Sequence, residues 1–150
     1  MLSLIATTAL SAVLVHSAPA IDRRSGPGVF MTTDINWQGK TKYFPDVLSY
    51  GKADNGCISL AFYPDLVDSV SSFGPDKGLS CLLYTTLDCN QEHEIDTSHY
   101  FGPITWPGVS TTAEWSNPKY LTFSDSQAGW NYNDKIISFL CVSSNSTIGK

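Results

Sequence analysis

Two stretches of this chain echo each other, and the echo limits what it can fold into. From Asp68 a short polar turn leads through Ser69, Val70, Ser71 and Ser72 to Phe73, then by way of Gly74 to Gly78 into Leu79–Tyr84. From Asn133 a turn of the same kind leads through Asp134, Ile136, Ile137 and Ser138 to Phe139 and Val142. The two turns lie about 65 residues apart. In each, an acidic or amide turn precedes a strand that alternates serine with apolar residues. Two similar units of this kind point to a duplicated β-module, since one such unit cannot bury its apolar face alone.

Helical periodicity is weak throughout, and short runs rich in Val, Ile, Phe, Tyr and Thr alternate with turn clusters. Strands are expected over 29–33, 41–44, 57–61, 69–73, 80–84, 120–123 and 135–142. Asn36, Gly39, Asp54-Asn55-Gly56, Pro64-Asp65, Gly74-Pro75-Asp76, Pro107-Gly108 and Asn117-Pro118 separate them. This pattern is that of an all-β sandwich with Greek-key links. The first unit spans about 28–75 and the second about 78–143. The second is longer by about 18 residues, most of them between Ser110 and Gly129.

The N-terminus reads as a secretory signal over residues 1–20. Leu2 to Val15 is almost wholly apolar, and Ala18-Pro19-Ala20 supplies a cleavage site. Arg23 and Arg24, the only arginines, look like a kexin-type processing site closing a short pro-segment over 21–24, so that one domain occupies 25–150. Beyond them seven Lys stand against thirteen acids. With no basic cluster, nucleic acid and anionic membrane are poor partners. No later segment is apolar and long enough to span a bilayer. Cys57, Cys81, Cys89 and Cys141 form an even set in a secreted chain, which implies two disulfides with three pairings open. Asn145 begins a glycosylation sequon.

Several of these motifs together resemble the βγ-crystallins. Thr32 to Gly39, with Asn36-Trp37-Gln38-Gly39 at its tip, is similar to the folded hairpin that opens each Greek key of that family. Gly78–Asn90 resembles a second opening, and Asn133–Phe139 a closing strand. Phe101–Gly108 is similar to small secreted fungal members of the group. The resemblance covers about 28–142 and implies a two-Greek-key, disulfide-bonded sandwich. The sequence departs from the pattern in two places. Thr32 stands where an aromatic is expected, and Gln91 stands where the second tip has glycine. A positive-φ tip tolerates Gln poorly, at a cost of about 1 kcal/mol. The second hairpin is therefore expected to be remodelled, with a Cys89 disulfide holding it.

The resemblance also implies calcium, bound by paired turns that exchange oxygen ligands. The side chains concerned are Asp68 and Ser71 in the first turn and Asn133 and Asp134 in the second. Val67 and Ile137 replace oxygen-bearing residues, one in each turn. Binding is expected to be weak, about 10⁻⁴–10⁻³ M. The cluster from Glu92 to His99 offers His93 and His99, but at no zinc spacing. G-x-S-x-G, H-E-x-x-H and glycine-rich phosphate loops are all missing, so an enzyme is not expected.

The strongest functional expectation falls on the aromatic-rich insert at about 110–129 and its flanks. Trp106, Trp115, Tyr120, Phe123 and Trp130 stand there among Ser, Thr, Asn and Gln. On a loop they would serve as anchors for a partner. The expected function is that of a non-enzymatic secreted effector binding an extracellular protein of a host or competitor, with protease inhibition as one form. A calcium-binding structural or stress module and an antimicrobial, killer-toxin-like protein are the alternatives.

Overall fold

The computed structural model describes residues 26–50, 56–89, 100–121 and 129–145. Among the described residues seven strands form two antiparallel sheets. They are β1 (Val29–Asp34), β2 (Gln38–Phe44), β3 (Cys57–Ser59), β4 (Ser72–Pro75), β5 (Leu79–Tyr84), β6 (Tyr100–Thr105) and β7 (Ser138–Ser143). The first sheet has the order β2-β1-β4 and the second β3-β7-β5-β6. β3 thus leaves the sheet of its own unit and pairs with β7 of the other. The exchange is returned in reduced form. Val109, after β6, bridges to Phe73 of β4 through Phe73 N–H to Val109 O (2.9 Å) and Val109 N–H to Phe73 O (3.0 Å). Each unit is a Greek key whose third segment crosses to its neighbour's sheet.

Alternation along the strands sets the core between the sheets. Val29, Met31, Phe44 and Phe73 point inward from the first, and Leu79, Cys81, Leu83, Phe101 and Phe139 from the second. Phe139 meets both Phe44 and Phe73 edge-on, with ring centroids 5.5 Å apart in each case. The cysteines pair as Cys57–Cys89 and Cys81–Cys141. Cys81 and Cys141 face each other on β5 and β7 inside the core. On the outer face of the second sheet, Tyr84, Cys89 and Leu140 make a smaller cluster against Cys57, Leu82 and Tyr100.

Several strand limits differ from sequence expectation. β6 contains Gly102 and Pro103, which argue against a strand. It is an edge strand, Pro103 is exposed, and the register with β5 shifts between Cys81 and Leu83. The strand expected over 120–123 reduces to a bridge from Leu121 to Phe101 and a bond from Gly102 N–H to Tyr120 O (2.8 Å). Segments 69–71 and 135–137 remain in the turns, because Asp68 (φ 52°) and Asp134 (φ 57°) adopt left-handed backbone that delays each strand.

Candidate functional site

The two turns singled out by the sequence echo meet at the junction of the keys, in a nearly two-fold arrangement. Asp68 N–H donates to Ile136 O, and Asp134 N–H donates to Val70 O, each at 3.2 Å. Residue n of one turn therefore contacts residue n+2 of the other, in both directions. The next position breaks the symmetry. Ser71 donates its hydroxyl to Asp134 Oδ1 at 2.6 Å. Its counterpart facing Asp68 is Ile137, which has no hydroxyl to give. One carboxylate–hydroxyl pair is kept and the other is lost.

The kept side has further oxygen chemistry. Asn133 Nδ2 donates to Asp134 Oδ2 at 2.6 Å, which leaves Asn133 Oδ1 facing elsewhere. That oxygen is buried and has no hydrogen-bond partner. A buried carbonyl oxygen without a donor is costly, at about 1–3 kcal/mol, unless a cation or water meets it. Ser71 is 4 % exposed, while Asp134 is open to solvent. One carboxylate, an amide oxygen, a hydroxyl and nearby carbonyls make a hard-cation donor set. Among the described residues no three His, Cys, Asp or Glu side chains converge. His93 and His99 lie outside the described residues.

A second pair of serines closes each hairpin over its sheet. Ser72, fully buried, accepts Trp37 N–H (3.1 Å) and donates to Asp34 O (2.8 Å). Ser138, also fully buried, accepts Cys89 N–H (3.2 Å) and donates to Thr86 O (2.6 Å). Trp37 (φ 62°) and Cys89 (φ 52°) are therefore equivalent tip residues. Cys89 is the residue tied to Cys57, so a disulfide fastens the second tip; Gln91 lies outside the described residues.

Among the described members of the aromatic set Trp115 is not exposed, and the expectation of a partner anchor is corrected for it. It is 0 % exposed, on a short 3-10 helix over Glu114–Ser116. Its indole N–H donates to Ser71 O (2.8 Å), and its ring stacks on Phe101 at 5.2 Å. A ring that fills the core and a satisfied N–H leave nothing to offer a partner. Tyr120 and Trp130 are partly buried and pack against the core. Phe123 lies outside the described residues. Of the described members of the set only Trp106 is well exposed, at 56 %, with Lys77 Nζ 4.5 Å from its ring centroid.

Burial and hydrogen bonds act oppositely on Glu114. Burial raises its carboxyl pKa, but donation from Ser110 N–H, Thr111 N–H and the Thr111 hydroxyl wins, and holds it below the ordinary value. Sequence reasoning missed Trp37 as an exposed aromatic, although its place in Asn36-Trp37-Gln38-Gly39 was the available signal. It also missed that Tyr132, 0 % exposed, belongs to the core. Asn145 is exposed.

No protein-family description matches the chain, and no curated protein matches it. Three solved structures are similar to it, all βγ-crystallin domains. One, concerned with the evolution of the eye lens βγ-crystallin domain fold, is 15 % identical over 86 % of this chain and 93 % of its own, with a TM-score of 0.48. A βγ-crystallin from an archaeon is 16 % identical over 78 % and 99 %, with a TM-score of 0.43. A βγ-crystallin domain from Flavobacterium johnsoniae is 14 % identical over 79 % and 98 %, with a TM-score of 0.39.

Proposed function

We propose that this βγ-crystallin-like chain is a secreted, non-enzymatic binding module that takes one calcium ion at the junction of its keys. The observation that carries the reading is the Ser71–Asp134 hydroxyl–carboxylate pair kept at the junction, with a partnerless buried oxygen, Asn133 Oδ1, on the adjoining residue. Ser71, Asn133 and Asp134 would hold the ion with side-chain oxygens. Calcium would neutralise Asp134 and tie the second key's turn to the first. Asp68 falls on the other side of the pseudo-axis, opposite Ile137, and contributes little. Two disulfides support an oxidising destination. The described residues include no helix long and apolar enough to cross a membrane.

Calorimetry and thermal melts in millimolar calcium test this. Wild type should bind one ion and melt higher, Asp134→Ala should lose both effects, and Asp68→Ala should keep them. No heat and no melting shift in wild type would sink the reading. A second reading, an interaction protein for an extracellular host protein, is favoured by one observation, the exposed Trp106 under Lys77. It predicts that Trp106→Ala loses a partner that Trp115→Phe retains.

A further inference from the structure

Within the second key's long insert, the described turn that carries Trp115 packs inward at the junction just described. Trp115 touches both halves of the kept side. Its indole N–H holds Ser71 through the carbonyl at 2.8 Å. Its own carbonyl accepts Tyr132 N–H at 3.0 Å, and Tyr132 directly precedes Asn133 and Asp134. The short helix that carries it is fixed in turn. Glu114 Oε2 accepts Ser110 N–H (2.7 Å), Thr111 N–H (2.9 Å) and the Thr111 hydroxyl (3.0 Å).

The opposite side of the pseudo-axis is built otherwise. There the carbonyl of Ile137, the counterpart of Ser71, accepts the backbone N–H of Leu60 at 2.8 Å. A side chain has thus taken over a task that the backbone performs in the other key. It has done so on the side that kept its hydroxyl and carboxylate. The indole that fixes the Ser71 carbonyl holds the backbone from which the Ser71 side chain reaches Asp134, and the Ser71–Asp134 bond then selects the hydroxyl's rotamer.

We infer that Trp115 is a positioning residue for the Ser71–Asn133–Asp134 junction, setting its affinity for a hard divalent cation and reporting its occupancy through the indole. The inference rests on the cation reading above. It gives Trp115 an inward role in place of partner binding.

The test uses calcium as the probe and the full disulfide-bonded chain. Trp115→Phe keeps a ring against Phe101 and removes the N–H donor together with part of the buried ring volume. Losing one hydrogen bond of ordinary strength predicts a Kd about fivefold weaker at unchanged stoichiometry. A merely structural role would lower the melting temperature equally with and without calcium, whereas a positioning role shrinks the calcium-induced rise itself. A second measurement does not depend on that variant folding. In Trp37→Phe/Trp106→Phe/Trp130→Phe, the sole remaining indole should change emission with the midpoint that calorimetry gives. Calcium binding with equal Kd in wild type and Trp115→Phe, or unchanged emission from the lone Trp115, overturns the inference alone. Failure of wild type to bind calcium overturns the cation reading as well.

Discussion

Replacing Ser72 with Ala should release the first hairpin tip, and the matching change at Ser138 should not release the second. The Ser72 hydroxyl makes two bonds, accepting from Trp37 N–H and donating to Asp34 O. Asp34 O keeps another donor, the Thr32 hydroxyl at 2.8 Å. The cost of the substitution therefore centres on Trp37 N–H, left without a partner beneath a folded hairpin. Stranding such a donor and losing the Ser72 bonds costs about 2 kcal/mol. For a domain of this size that lowers the melting temperature by about 8 °C. In Ser138→Ala, Cys89 N–H is stranded in the same way, but Cys89 stays tethered to Cys57. Hydrogen exchange by mass spectrometry separates the two. The segment around Trp37 should lose protection in Ser72→Ala by more than the stability loss accounts for, while the segment around Cys89 in Ser138→Ala follows global stability only. Equal local opening in both variants, or a melting shift below about 1 °C for Ser72→Ala, would refute the reasoning.

Gly108→Ala should cost at least about 2 kcal/mol, from a positive φ and a new methyl group against backbone. Its φ is +101° and a Cβ would lie closer than 3.0 Å to Phe73 O, whereas Gly78→Ala (φ +92°, with open space around it) should cost about half as much; urea midpoints check the ratio. Because the folded carboxyl of Glu114 titrates below its ordinary value of 4.5, its contribution is present above that pH and is lost as pH falls through the folded value. Melting temperatures of Glu114→Gln should accordingly fall less steeply than wild type in acid, and parallel curves would contradict this. Removing the buried bridge with Cys81→Ala/Cys141→Ala opens a 60-residue separation and should cost about 4 kcal/mol by loop entropy, read from the denaturant midpoint.

The sequence echo located both turns at the junction, because residue types at fixed spacing record where the backbone must bend. The alternation of Val29 with Met31 and of Leu79, Cys81 and Leu83 likewise disclosed the inner faces of their strands. β6 was hidden because glycine and proline carry a turn signal whether they end a strand or sit on an edge. The aromatic insert misled for a different reason. Composition does not distinguish a tryptophan among polar neighbours on a loop from one inserted into a core, and Trp115 is buried by contacts with Phe101 and Ser71 that lie far from it in sequence. The division of Asp68, Ser71, Asn133 and Asp134 into a kept side and a lost side required the pairing of Asp68 with Ile136 and Asp134 with Val70. That reciprocity emerges only when the keys dock.

The exchange of third segments also governs what happens if the chain is cut. Lys77 and Gly78, exposed on the link between the keys, offer a protease an accessible bond. Severing it would not separate the halves. β3 would still be laced into the second sheet, Val109 into the first, and Cys57–Cys89 would hold the fragments covalently. A nicked molecule would run as one band until its disulfides were reduced and as two afterwards, so in protease-rich surroundings the chain can lose its continuity and keep its shape.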